Sequence, residues 1–202
     1  MIDFISTFVF FFAVIDPIGT VPVFIAVTRG HDAAMKRKIA LRATLISAVV
    51  LLFFVIAGEL ILTSIKIPLS AFQIAGGIVL FLFALSMIFG ESKPEEELKL
   101  TENGTEKAVF PLAVPSIASP GAMLAAVLLT ENHRYSLFEQ VQTTGIMFLV
   151  LLLVLVVLFA STLIHRFIGN SGASIISRIM GLILSSVAVS SVLEGIKTYF
   201  EL

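Results

Sequence analysis

Six stretches of this sequence are apolar over the length that a bilayer demands: roughly 3–28, 40–62, 69–90, 108–130, 138–163 and 175–198. A helix needs about 20 mostly apolar residues to cross the hydrocarbon. Lipid offers the backbone no hydrogen-bond partner, so a crossing segment must satisfy its own N–H and C=O groups. The chain has 202 residues, 58% of them hydrophobic and 13% charged, and its mean hydropathy is +1.07. That is far outside the range of a soluble domain. The expectation is an all-α, polytopic integral membrane protein with six transmembrane helices and the lipid bilayer as its surroundings. The first stretch has no basic region or small-residue cleavage pattern before it, and it reads as a retained span, not a leader.

That first stretch is interrupted. Between Phe4 and Val27 stands Asp16-Pro-Ile-Gly-Thr-Val-Pro22. Pro17 and Pro22 lack the N–H that continues a helical ladder, and Gly19 frees the backbone to turn away. At membrane depth, freed backbone groups are tolerated only where protein or a wet cavity satisfies them. The fourth stretch carries its own break, Pro115-Ser-Ile-Ala-Ser-Pro120-Gly121. Both breaks therefore mark candidate sites.

The breaks belong to a repeat. Gly77, Ala84 and Ser86 of the third stretch recur in register as Gly181, Ala188 and Ser190 of the sixth. From Pro17 to Gly77 is 60 residues, and from Pro120 to Gly181 is 61. The expected organisation is a three-helix repeat over 1–90, a cytoplasmic acidic linker over 91–107 and a second three-helix repeat over 108–202. An odd number of spans inverts the second half. Inverted repeats with matching discontinuous helices point to a secondary transporter whose site lies near the midplane. Half-helix N-termini suit an anionic group and freed carbonyls suit a cation or ammonium, so a small zwitterion is served by both.

Counting Lys and Arg sets the expected orientation. Ten of the 13 fall on the side of the loop Arg29–Lys38 and the linker, against Lys66, Arg134 and Lys197 on the other. The basic loop and the linker are then cytoplasmic and both termini lie outside, in a plasma membrane of the bacterial or archaeal inner type.

Asp16 is the sharpest candidate. An intramembrane carboxylate would ligate Na+ or carry a coupling proton, and Asp-Pro is also a good N-cap for a helix restarting after a break. Pro17, Gly19, Pro22, Pro115, Pro120 and Gly121 shape the breaks, or alternatively only kink helices for packing. Thr20, Ser116 and Ser119 are placed to offer hydroxyls to a substrate or ion, or to local freed carbonyls. Gln73 is a polar group that would face a cavity, beside Gly76 and Gly77, which suit close helix packing. Ser185, Ser186, Ser190 and Ser191 read mainly as packing positions, and Glu59, Lys66, Glu194 and Lys197 as interfacial groups reaching for water. Ile146–Ala160, nearly unbroken Leu, Val and Phe, reads as lipid-facing.

Several classes have no support. With no cysteine there are no disulfides or thiolate sites, and His31, His133 and His165 lack metal-ligand spacing,. No nucleophile sits in a recognisable catalytic pattern, so an enzyme is not expected. A net charge of −1 gives no footing for nucleic acid,. Small-residue faces leave a homo-oligomer open. The contrasting readings are an exporter of another small metabolite or drug, and a non-transporting scaffold that docks partners through the linker Glu91–Lys107.

Four motifs in order, covering nearly the whole chain, resemble the MarC family, also called UPF0056 membrane proteins. They are Asp16-Pro-Ile-Gly-Thr-Val-Pro-Val-Phe24; Phe72-Gln-Ile-Ala-Gly-Gly77 with Ala84-Leu-Ser-Met87; Pro111-Leu-Ala-Val-Pro-Ser-Ile-Ala-Ser-Pro-Gly121; and Arg178-Ile-Met-Gly181 with Glu194-Gly-Ile196. The resemblance implies 3+3 inverted repeats related to LysE-type exporters. It also implies cation-coupled transport of small neutral amino acids such as glycine and alanine, and a gating role for Arg178. Two departures stand out: the family often has Asn where this chain has Asp16, and Gly where it has Ser119. The orientation is tested by reporter fusions. Reporters placed after Lys38 and within 91–107 are expected to read cytoplasmic, and one at the C-terminus external.

Overall fold

The computed structural model describes residues 3–89, 109, 112–132 and 134–201, so the linker 91–107 lies outside the described residues. Among these the chain is helical and contains no strand. The elements are α1 (Phe4–Ile15), α2 (Thr20–Val27), α3 (Ala33–Ser64) and α4 (Leu69–Phe89), then a π-helical turn (Leu112–Ile117), α5 (Pro120–Leu128), α6 (Leu137–Phe159) and α7 (Ser161–Tyr199). Five stretches of the described residues are long and apolar enough to cross a membrane: Phe4–Val27, Ala33–Ser64, Leu69–Phe89, Leu137–Phe159 and Ser174–Tyr199.

Local chemistry explains where most of these helices start. Asp3 caps α1 by accepting the N–H of Ile5, and Asp32 caps α3 by accepting that of Met35 at 2.7 Å,. The Asp32 cap carries α3 back through Lys36, Arg37 and Lys38, residues read above as loop. Ser136 and Glu139 form a reciprocal capping box at the start of α6,. Between the fifth and sixth stretches, where a connection is expected, α7 is kinked: Gly169 (φ 65°, ψ −179°) is non-helical and divides it into two helical segments. Ile146–Ala160 is two-faced: Ile146, Met147, Val150, Leu151, Val154 and Leu158 are buried, while Leu149, Leu152 and Val156 are exposed.

The longest contact in the fold is between α4 and α7, which run antiparallel. A Cβ on Gly77 would sit 3.1 Å from the Ala188 carbonyl, one on Gly181 3.0 Å from that of Ala84, and one on Gly195 3.1 Å from that of Ser70. As the α4 position rises by seven, its α7 partner falls by seven. Bare backbone at these crossings lets the helices approach closely, which is how helices associate where lipid supplies no hydrophobic drive. The second contact set joins α3 to the π-turn and α5, and α6 to α1 and α3. The second half of α1 is enclosed by these elements, and Phe11, Val14 and Ile15 have no exposed surface, whereas Phe4, Ile5 and Val9 in its first half are exposed.

Asp3, the end of α3, the residues Glu131, Asn132, Arg134 and Tyr135, and Glu194 share one end of the bundle. Glu59 accepts from the backbone and side-chain nitrogens of Asn132 at 2.7 and 2.8 Å. Asp3, Glu131 and Glu194 line a common cavity. Gly181→Val is expected to cost about 1–3 kcal/mol through overpacking against Ala84, read as a lowered melting temperature of the purified protein. Gly145→Ala, where a Cβ meets nothing within 4 Å, should leave it unchanged.

Candidate functional site

The first break is built around Asp16. α1 ends there with the residue in the left-handed region, φ 49° and ψ 68°, a conformation that Asp tolerates better than most residues. Asp16 is thus the C-cap of the first half-helix, not the N-cap expected for the second. Its carboxylate turns forward along the chain, and Oδ1 accepts the N–H of Gly19 at 3.0 Å. A Cβ on Gly19 would collide with that carboxylate and with the Ser177 hydroxyl. Glycine is what allows the acid to lie against the backbone. The Asp16 carbonyl accepts the Thr20 hydroxyl at 3.0 Å, and α2 starts from there.

The second break uses the cap that Asp-Pro suggested for the first. Ser119 is the N-cap of α5, with Pro120 in its first turn, and its Oγ accepts the N–H of Ala122 at 3.1 Å,. Asp16 and Ser119 therefore do the same local job: each side chain accepts an N–H three residues on.

The two breaks meet. The Ser116 hydroxyl donates to Thr20 Oγ1 at 3.3 Å, and the Ser119 hydroxyl to the Val14 carbonyl at 2.7 Å. Ser47 on α3 donates to the Ala113 carbonyl in the π-turn at 3.0 Å. Ser177 on α7 donates to Asp16 Oδ2 at 3.2 Å. Asp16, Thr20, Ser116, Ser119 and Ser177 are each at most 1% exposed. Charged side chains are almost never buried so fully unless paired. Both donors to the Asp16 carboxylate, the backbone N–H of Gly19 and the hydroxyl of Ser177, are neutral. A carboxylate offers about four lone-pair sites, so this one has capacity left for a cation or an ammonium.

Asp16, Pro17, Gly19, Thr20, Pro22, Ser116, Ser119 and Gly121 all lie in this buried region; Pro115 is half-buried and Pro120 is exposed. Gln73 is elsewhere. It lines a cavity of about 850 Å³ at the Asp3 end, with Thr7 and Phe10 of α1, Thr143 of α6 and Ser186 and Ser190 of α7. The cavity does not reach the breaks. Phe10 precedes Asp16 by six residues, about 9 Å of helix, and buried Phe11, Val14 and Ile15 lie between. At the mouth, the Ser6 hydroxyl 2.6 Å from Asp3 holds that carboxyl below the usual carboxylate range.

Sequence reading missed Ser177, Ser47 and the cavity residues Thr7, Glu139 and Thr143. A signal for Ser177 existed: it precedes Gly181 by four residues, as Gln73 precedes Gly77. Ser119→Ala would leave the Val14 carbonyl and the Ala122 N–H without partners. It is expected to cost about 1–3 kcal/mol in chemical denaturation. Ser185→Ala, whose hydroxyl bonds only its own helix at Leu182, should cost far less.

Comparison with known proteins adds a family. Residues 1–200 match the MarC family of integral membrane proteins. The chain is 33% identical over 205 residues to a UPF0056 membrane protein of Buchnera aphidicola from Schizaphis graminum, and 33% identical over 205 residues to the UPF0056 inner membrane protein YhgN of Escherichia coli K12, in both cases over 100% of each chain. It is also 33% identical to a UPF0056 membrane protein of Aquifex aeolicus, over 98% of this chain and 94% of the relative. No solved structure matches.

Proposed function

We propose that this chain, which belongs to the MarC family of integral membrane proteins, is a secondary transporter of small neutral amino acids, of glycine or alanine size, coupled to Na+ or H+. It works by alternating access around the breaks at 16–22 and 115–121. The observation that carries this reading is the buried Asp16 carboxylate, held by two neutral donors where the two breaks touch. Intramembrane carboxylates are costly and mark solute or ion paths. An ammonium or Na+ at Asp16, with hydroxyls of Thr20, Ser116 and Ser119 beside it, suits a compact zwitterion and leaves little room for a long side chain.

Six spans in two inverted halves are part of this proposal. The packing of α4 on α7 supports it: Gly77 meets Ala188 while Gly181 meets Ala84, and these are the residues that recur in register. Exchanging the halves exchanges the two contacts, as a two-fold axis in the membrane plane would. Other neighbours follow the same exchange, with α3 against the π-turn and α5 answered by α6 against α1 and α2.

The cavity at the Asp3 end is then the open approach, and the buried layer of Phe11, Val14 and Ile15 is the barrier that must part. The protein sits in an inner membrane, as the name of YhgN says of that relative. Both termini and the cavity mouth face away from the cytoplasm.

In proteoliposomes, labelled glycine or alanine should accumulate under an imposed Na+ or pH gradient. Asp16→Asn should lower that uptake about tenfold or more, the equivalent of one charged hydrogen bond. Absence of flux from a folded wild-type preparation would reject the amino acid assignment.

A further inference from the structure

The cavity at the Asp3 end has a repeated construction that the breaks do not explain. Three helices each present it with a carboxylate and, four residues along, a hydroxyl: Asp3 and Thr7 on α1, Glu139 and Thr143 on α6, Glu194 and Ser190 on α7. Residues four apart share a helix face and differ by about 6 Å in depth. α1 and α6 run inward from this end and α7 runs outward to it, so in every case the carboxylate is the outer member. An acidic tier thus stands above a hydroxyl tier.

The outer tier supplies field more than ligands. Asp3 accepts from Ser6 and from the N–H of Ile5, and Glu139 accepts from Ser136 in the cap of α6. No three His, Cys, Asp or Glu among the described residues lie close enough to hold one metal ion. With Glu131, the carboxylates at the cavity wall outnumber the positive groups against them, the guanidinium of Arg134 and the N-terminal ammonium beside Glu139. A mouth of net negative charge with low-dielectric walls concentrates positive charge.

The inner tier points to a ligand independently. Helical Ser and Thr commonly turn back onto a carbonyl one turn earlier, as Thr144 does onto Gln140 at 2.7 Å. Thr7 and Thr143 do not. They are 8% and 1% exposed, line the cavity, and make no side-chain hydrogen bond to a described residue. Their hydroxyls are also not among the buried atoms sealed off without a partner, so what surface they have opens onto the cavity.

We propose that this vestibule holds a binding site for a compact monovalent cationic group, an alkali-metal ion or a primary ammonium. Asp3, Glu139 and Glu194 draw the cation in, and the oxygens of Thr7, Thr143 and Ser190 receive it. Neutral oxygen ligands under a spread negative field suit one positive charge better than two. Divalent ions prefer carboxylate oxygens bound directly. The site stands on the vestibule alone and goes beyond the transport reading, because nothing in it requires the breaks to move.

The chain has no Trp and two Tyr, and Tyr135 lines this cavity. In a Tyr199→Phe background, Tyr135 fluorescence therefore reports the site. Full-length protein in neutral-lipid bicelles is titrated with methylammonium chloride or with NaCl, with N-methylglucamine holding ionic strength constant. A saturable response to either cation is expected, and which arm responds identifies the ammonium or the alkali ion. Thr7→Val with Thr143→Val should raise the apparent Kd about tenfold, and Glu194→Gln, at an exposed position, should raise it most at low salt. Asp16→Asn should leave it unchanged. The proposal is overturned by no saturable response to either cation, or by wild-type affinity in the double variant at an unchanged melting temperature. Loss of the response in Asp16→Asn would also overturn it, because the cation would then sit at the breaks. If the double variant does not fold, Ser190→Ala and Glu194→Gln decide in the same way.

Discussion

A broken helix inside a membrane protein leaves N–H and C=O groups that lipid cannot satisfy, and here each break is completed by groups from elsewhere in the chain. The carbonyl of Val14, in the last turn of α1, is bonded by Ser119 of the second break. The carbonyl of Ala113, next to the non-helical Val114, accepts the Ala118 N–H within the turn and also the Ser47 hydroxyl of α3. Thr20 and Ser116 bond one another across the contact, and Ser177 of α7 bonds the Asp16 carboxylate. An unpaired buried polar group costs about 1–3 kcal/mol, so these bonds decide which segments must lie together. Positions for α1, α3, α5 and α7 around the breaks follow from them.

The rest of the bundle holds that arrangement in place. α4 and α7 present glycine and alanine to each other along their whole contact, and close backbone approach substitutes for the hydrophobic drive that lipid removes. α3 and α6 present apolar side chains outward, with Leu45, Val49 and Ile56 on one and Leu149, Leu152 and Val156 on the other among the exposed residues. This division suits a moving part. Contacts at the breaks combine hydrogen bonds, which can be exchanged for solute or water, with packing of Val14, Ile15, Ile117 and Ala118, whereas the α4–α7 seam brings backbone against backbone along its length.

Much of this was legible in the sequence where chemistry is local. Proline and glycine at 17, 19, 22, 115 and 120 announced both breaks, and Gly77 and Gly181 were legible as anchors of a repeat, whereas the packing of the two helices carrying them on each other was not. Other features were hidden for physical reasons. Asp16 and Ser119 sit in matching Asp-Pro and Ser-Pro pairs, yet only Ser119 is a helix N-cap; Asp16 is in a left-handed turn, its carboxylate held by the local Gly19 N–H and, across the fold, by Ser177. The start of α3 was set too late because hydropathy marks the membrane, not the helix, and the Asp32 cap adds a charged turn outside it. Ile146–Ala160 carries no polar residue to reveal which side is buried. The vestibule was illegible because its three carboxylate and hydroxyl pairs come from segments that meet only in the fold.

The central claim is that the contact between the two breaks opens to each side of the membrane in turn. The chain has no cysteine, so Ser116→Cys introduces a single thiol at a position now fully buried. Its reaction with a membrane-impermeant methanethiosulfonate, in right-side-out and in inverted vesicles, is the most direct measurement. Alternating access predicts modification from both sides, with the balance shifting when glycine or alanine is present. A thiol that stays sealed from both sides, or that reacts from one side alone whatever solute is added, would contradict it.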